Sequence, residues 1–379
     1  MQVVHRVAEA GMKKWFRKNK VNLLTGARQV GKTTLLQHLF SNQSSVLWLN
    51  ADESTTRETL SRHDLVSLRQ VFGTYKTVII DEVQRIENAG LLLKLCVDQF
   101  KGVQFIATGS SSLDISETVF EPLTGRQILF HLFPFALKEL YPKNSPFEIA
   151  QQLPFHLVYG SYPDICNNRQ DADTLLLNLS DQYLYKDVLA WNNIRKPTLL
   201  NKLLQLLAYQ VGSEVSLHEL GRQLGVKSDT IDNYIDLLEK SFVIFRLPSM
   251  SNNPRKEISK MNKIYFWDNG IRNAVIGNFN ALNIRNDAGA LWENLMVSER
   301  KKMNAWLHPK INSYFWRNYN QSEVDYVEMD KKQLSAFEMK WGKGNAKVSR
   351  AFSNLYPQAD TDVITPENFV PFCRINEPA

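Results

Sequence analysis

The run Gly26-Ala27-Arg28-Gln29-Val30-Gly31-Lys32-Thr33 fills every fixed position of a Walker A motif. It constrains the fold because the motif works only between a strand and a helix. Both flanks are present. Val21-Asn22-Leu23-Leu24-Thr25 is a short apolar run of strand type, and Thr34 to Phe40 carries one apolar face at helical spacing. Gly26 and Gly31 let the backbone turn so that successive N–H groups face a phosphate. The helix N-terminus adds partial positive charge. Lys32 supplies a point charge for the β- and γ-phosphates, and the Thr33 hydroxyl is a ligand for Mg²⁺. Gly26 through Thr34 is therefore the predicted ATP-binding loop.

A chain of 379 residues exceeds one ordinary core, so two or three domains are expected. Net charge is +6, which suits nucleic acid or another anionic partner and equally suits a plain basic globular protein. Cys96, Cys166 and Cys373 lie far apart without metal spacing and read as reduced thiols of a cytoplasmic protein. Met1 to Phe16 lacks a secretory apolar core and is expected to be a helix entering the first strand. No apolar stretch approaches the length of a membrane span.

Residues 21–132 alternate strands and helices, the pattern of an α/β parallel sheet covered on both faces. The expected strands after the first are Ser45 to Asn50, Lys76 to Glu82, Val103 to Ser110 and Gln127 to Leu132. Ligands of such sheets sit at the carboxyl ends of the strands. Val78-Ile79-Ile80-Asp81-Glu82 reads as a Walker B strand. Asp81 would hold the Mg²⁺ shell, and Glu82 would orient or deprotonate the attacking water. The competing reading is a pair of acids at the start of the next helix. The hydroxyl run Thr108-Gly109-Ser110-Ser111 offers Ser110 as a contact for the water or γ-phosphate, or is a simple turn. Arg126, after Leu123-Thr124-Gly125, is a candidate for stabilising γ-phosphoryl charge in cis or in trans, or is a surface arginine.

Taken with Leu132-Phe133-Pro134-Phe135, Tyr159-Gly160-Ser161-Tyr162-Pro163 and Tyr265 to Gly270, these motifs resemble the prokaryotic AAA-superfamily ATPases that carry a C-terminal domain of unknown function. The resemblance covers essentially the whole chain. It implies an ATPase core over 1–135, a helical lid over 136–213, a winged-helix segment over 214–250, a connecting segment over 251–284 and a nuclease-like domain over 285–379. The residues themselves support the winged helix. Leu217 to Leu224, Gly225, Ser228 to Lys240 and Phe242 to Leu247 read as helix, turn, helix capped by Ser228, and strand. Asp229, Asp232, Asn233 and Asp236 line the outer face of the second helix, and phosphates would repel them. Arg255, Lys256, Lys260 and Lys263 form a basic cluster that can still meet a backbone.

Residues 288–379 read as helix, three strands, helix and strand, which resembles the restriction-endonuclease-like PD-(D/E)XK fold. The resemblance puts its motif on Asp325, Glu338 and Lys340, with Glu293 on the first helix. Glu338 and Lys340 are two apart in a strand and share one face. Carboxylates so placed hold a second divalent metal, and the lysine steadies phosphorane charge. The competing reading is an ion-paired cluster. The expected function is thus an Mg²⁺-dependent AAA-type ATPase acting on or recruited to nucleic acid, DNA being a possible partner. The rivals are a nucleotide-dependent switch with a protein partner and a non-cleaving terminal domain, and an ATP-regulated metal-dependent DNase. A homo-oligomer is compatible with each.

Overall fold

The computed structural model describes residues 4–109, 122–183, 197–250, 262–342 and 347–377. It forms two compact units, Met1–Phe133 and Pro134–Ala379.

The first unit is built on five strands. These are β1 (Val21–Gly26), β2 (Val46–Asn50), β3 (Thr77–Asp81), β4 (Gln104–Gly109) and β5 (Gln127–Leu132). They form one sheet in the order β2-β3-β4-β1-β5, and every pairing is parallel. The central strands β1 and β4 are buried along their whole length, while edge strand β2 leaves Trp48 exposed. Burial on both faces requires continuous apolar runs, and Val78-Ile79-Ile80 and Phe105-Ile106-Ala107 supply them. Helix Ala89–Gln99 turns Leu92, Leu93, Cys96 and Val97 inward. Phe72 meets Phe100 and Phe105 edge to face beneath them, at centroid distances of 5.0 and 5.4 Å. The order has one consequence for chemistry. β4 lies between the P-loop strand β1 and the acidic strand β3, so its carboxyl end separates the two motifs.

In the second unit, helices Pro146–Tyr159 and Ala172–Tyr183 pack on helix Asn269–Val275. The predicted lid helices thus share a core with residues beyond 213. Strands β6 (Glu214–Val215), β7 (Ile244–Leu247) and β8 (Asn262–Phe266) form an antiparallel sheet ordered β6-β8-β7. Helices Leu217–Leu224 and Ser228–Lys240 lie between β6 and β7, as read. The cap differs: Lys227 occupies the N-cap position and Ser228 makes no capping hydrogen bond, because it already has entered the first turn. Helix Ala288–Leu307 leads into β9 (Asn312–Arg317), β10 (Glu323–Asp330), β11 (Gln333–Met339) and β12 (Asp360–Ile364). Their order is β12-β11-β10-β9, antiparallel except for the parallel β11–β12 pair. Helix Arg350–Leu355 makes the crossover between those parallel strands. The two sheets join where Met250 N donates to Phe315 O at 2.7 Å and Phe315 N to Pro248 O at 3.0 Å.

The motifs Tyr159–Pro163 and Tyr265–Gly270 meet as a joint. Asp268 accepts the Ser161 N–H at 2.6 Å and caps helix Asn269–Val275 through the Ile271 N–H. A Cβ on Gly160, whose φ is +70°, would lie 1.9 Å from Asp268 Oδ1. One on Gly270 would lie 2.2 Å from Tyr159 O. These glycines permit a close backbone approach and carry no chemistry. Among the described residues, no helix is long and apolar enough to cross a membrane.

Candidate functional site

The candidate nucleotide site is assembled at the carboxyl ends of β1, β3 and β4. Gly26 ends β1 under Leu132 O, which a Cβ there would strike at 2.1 Å. Gly31, at φ +92°, turns the loop into helix Lys32–Phe40. Ala27 and Val30 are buried, Arg28 is half-buried, and Gln29 and Thr34 are exposed. Lys32 Nζ folds back on the loop, donating to Gly26 O at 2.9 Å and Ala27 O at 2.8 Å. Thr33 Oγ1 donates to Asp81 Oδ2 at 2.9 Å. A hydroxyl and a carboxylate oriented on each other in this way are the donor set that Mg²⁺ takes beside a nucleotide, so these residues fit the ion.

Glu82 follows Asp81 in the left-handed region, at φ +55°. A non-glycine residue held there costs on the order of 1–3 kcal/mol, a strain commonly found where a side chain must be aimed. Thr108 Oγ1 accepts the Glu82 N–H at 3.2 Å and donates to Asp81 Oδ1. Gln84 Nε2 donates to the Glu82 carboxylate. Thr108, in the hydroxyl run where Ser110 is the favoured candidate, therefore links the Asp81 carboxylate to the Glu82 backbone. Ser110 lies outside the described residues.

For Arg126, the sheet bears on a role in cis. It precedes β5, and β5 runs parallel to β1 with Gln127 opposite Val21. Arg126 O accepts the Val21 N–H at 2.9 Å, which fixes the residue at the amino edge of the sheet. β1 has six residues at about 3.3 Å each, so this edge is roughly 17 Å from the P-loop. The guanidinium instead pairs with Asp98, 2.9 Å away. It does not reach a nucleotide of its own chain. Arg6 is a residue that sequence reading missed. Its NH1 donates to Val30 O in the P-loop at 2.7 Å and its NH2 to Phe133 O at 2.6 Å.

The second constellation lies in the second unit. Glu293, Asp325 and Glu338 are brought into one region, but a cation stands among them. Lys263 Nζ, from β8, lies 3.1 Å from Glu293, 2.5 Å from Glu323 and 3.6 Å from Asp325. Its side chain is 2% exposed. Tyr265, two residues on and so on the same strand face, donates its hydroxyl to Glu293 at 2.7 Å. Asp325 Oδ2 accepts the Met339 N–H at 2.8 Å. Lys340, just beyond β11, pairs with Glu338 at 3.0 Å. Lys263 was expected in an exposed basic cluster. Arg255, Lys256 and Lys260 lie outside the described residues, and Lys263 is buried because three carboxylates compensate it.

Burial alone would lower the pKa of Lys263, yet Glu293, Asp325 and Glu323 outweigh it and hold the pKa above its ordinary value. Glu293 is pushed up to about 7 by burial and by the charge of Asp325, against the pull of Lys263 and Tyr265. Burial and Asp325 likewise raise Glu338, against Lys340. Lys263 supplies positive charge where the metal would, and among the described residues Glu293, Asp325 and Glu338 do not offer three ligand atoms within 4.8 Å of one another.

The raised Glu293 makes a testable claim. A carboxyl that binds its proton more tightly when folded adds stability below its unfolded pKa, and that stability is lost as pH rises through about 7. Urea unfolding of the wild type should therefore weaken between pH 5 and pH 8 more than that of Glu293→Gln. Equal pH slopes in the two proteins would show that Glu293 titrates normally.

The parallel sheet and the glycine-rich loop between β1 and helix Lys32–Phe40 are those of a P-loop nucleotide-binding fold in the first unit. Residues 18–141 match the family model described as an AAA domain. Residues 150–282 and 288–372 match two families described as domains of unknown function, DUF8612 and DUF4143. The chain is similar to the uncharacterized protein Rv2008c of Mycobacterium tuberculosis, 27% identical over 347 residues, which cover 90% of this chain and 74% of that protein. It is also similar to the uncharacterized protein MJ1544 of Methanocaldococcus jannaschii, 23% identical over 331 residues, covering 82% and 72%. Among solved structures it resembles the Walker-type ATPase PABY2304 of Pyrococcus abyssi, with 17% identity and a TM-score of 0.47 over 72% of this chain and 96% of that one.

Proposed function

We propose that the chain binds and hydrolyses ATP, with Gly26 to Thr34 holding the phosphates. The observation that carries this reading is the contact chain Thr33–Asp81–Thr108–Glu82 beside Lys32. When bound at Thr33 and Asp81, Mg²⁺ supplies charge neutralisation for the β- and γ-phosphates. Lys32 exchanges its loop carbonyls for phosphate oxygens. Glu82 accepts a proton from the water that attacks the γ-phosphorus, and ADP leaves with the bond electrons. Arg126 is available only to the nucleotide of a neighbouring chain, in a homo-oligomer.

The charge-assisted contact of Lys32 is worth about 1.5–3 kcal/mol. Lys32→Ala is expected to weaken a fluorescent ATP analogue at least tenfold in an equilibrium titration. An unchanged affinity would remove Lys32 from the phosphate site and the reading with it.

We further propose that the second unit is a recognition module with a restriction-endonuclease-like C-terminal domain that does not cleave. Two observations favour a protein partner over duplex DNA. Lys263 stands inside the candidate cleavage cluster as its own cation. On the winged-helix segment, the single Arg246 offsets only part of the charge of Asp232, Asp236 and Glu239, so the outer helix keeps an acidic face. Salt-dependent DNA binding, DNA-stimulated ATP turnover or Mn²⁺-dependent cleavage would each return the nucleic-acid readings to first place.

A further inference from the structure

We propose that His5, Glu9 and His38 bind one divalent transition-metal ion of the zinc class, bridging the N-terminal segment and the helix that follows the P-loop. The three residues present one ligand atom each, all within 4.8 Å of one another. His5 Nδ1 lies 3.7 Å from Glu9 Oε1. The two imidazoles meet edge to face with centroids 5.3 Å apart. Zinc bonds of roughly 2.0–2.2 Å put tetrahedral ligand atoms about 3.3–3.6 Å apart, so the three side chains need to close in by no more than about 1.5 Å from their present separations. Two imidazoles and one carboxylate select zinc, nickel, cobalt or copper over magnesium and calcium, which prefer oxygen alone.

The supporting contacts suit a ligand. Glu9 is buried, with its side chain 8% exposed, whereas His5 is 80% exposed and leaves a coordination position open to water. The Arg6 backbone N–H donates to Glu9 Oε1 at 2.9 Å and so orients the carboxylate from behind. Lys13 lies 3.4 Å from the other oxygen. His38 is in the last turn of helix Lys32–Phe40. The ion would therefore fasten that helix to the segment carrying Arg6, whose guanidinium holds Val30 O of the P-loop. Nothing in ATP hydrolysis uses these three residues, so the site stands or falls apart from that reading.

The test is calorimetric titration of the full chain with Zn²⁺ in the absence of nucleotide, repeated with Co²⁺ under visible absorption. One equivalent should bind, and Co²⁺ should develop the d–d bands of a low-coordinate histidine site. His5→Ala, at an exposed position, should lower Zn²⁺ affinity at least tenfold, and the His5→Ala/His38→Ala pair should abolish saturable binding. Circular dichroism should be unchanged in both variants. Zn²⁺ should raise the thermal midpoint of the wild type and leave that of the pair where it is. Absence of saturable binding to the wild type overturns the proposal. So does binding of equal affinity in the double variant, which would mark adventitious capture by other side chains.

Discussion

Glu82→Gln is expected to bind ATP as the wild type does and to hydrolyse it at least a hundredfold more slowly. The binding half follows because the proposed phosphate-binding loop runs from Gly26 to Thr34, and Glu82 belongs to none of it. The turnover half follows from the size of general-base catalysis, about 10²–10⁴-fold. The isosteric amide keeps the hydrogen bonds available to Gln84 and the backbone contact to Thr108, so geometry is retained and only the proton acceptor is lost. Single-turnover hydrolysis with saturating ATP and Mg²⁺ reads the chemical step directly. Equal rates would leave the left-handed backbone at Glu82 without a catalytic reason. Loss of ATP affinity with a normal rate would mean that Glu82 acts on the bound ground state.

The nucleotide site was legible because its chemistry is local. Phosphate cradling needs glycines, a lysine and a hydroxyl at fixed spacing, and Gly26 to Thr33 carries all of them in one stretch. Apolar strands such as Val78-Ile79-Ile80 were equally plain, since burial on both faces leaves no polar alternation to misread. Strand order was not legible. That β4 lies between β1 and β3 is a long-range fact, and it makes Thr108 the hydroxyl beside Asp81. The edge on which Arg126 lies follows from strand direction. In a parallel sheet, residues before a strand and residues after it lie at opposite edges, so an arginine preceding β5 is far from a loop following β1.

The second unit was harder to read because its polar cluster draws on distant segments. Glu293, Asp325 and Glu338 come from a helix and two strands, while Lys263 and Tyr265 come from the sheet before them. A signal was present: Lys263 and Tyr265 alternate on one face of an otherwise apolar strand, Ile264 and Phe266 on the other. A lone lysine in such a run needs a buried counter-charge. Its proximity in sequence to Arg255, Lys256 and Lys260 matters less than the strand period, which sets the face that Lys263 occupies. Gly160 and Gly270 show the same limit from the other side, since each is explained only by the segment that packs against it.

Lys263→Met is expected to destabilise the second unit by about 3–5 kcal/mol, the usual cost of leaving buried charges without their partner. Methionine retains the length of the stem, so lost packing is a small part of the effect. What remains is Glu293, Glu323 and Asp325 around a neutral thioether. Their mutual repulsion is relieved by proton uptake, so the deficit measured by urea unfolding should shrink as the pH falls from 8 to 5. The same variant weighs the cluster as a metal site. In the wild type, Lys263 is the resident cation, and neither Mn²⁺ nor EDTA should move the unfolding midpoint of this unit. In Lys263→Met, Mn²⁺ has a vacated positive position among carboxylates and should recover part of the loss. A wild type that Mn²⁺ stabilises would mean that lysine and metal share the cluster, and the non-cleaving reading would fail. A variant as stable as the wild type at pH 8 would mean that water, and not Lys263, balances these acids.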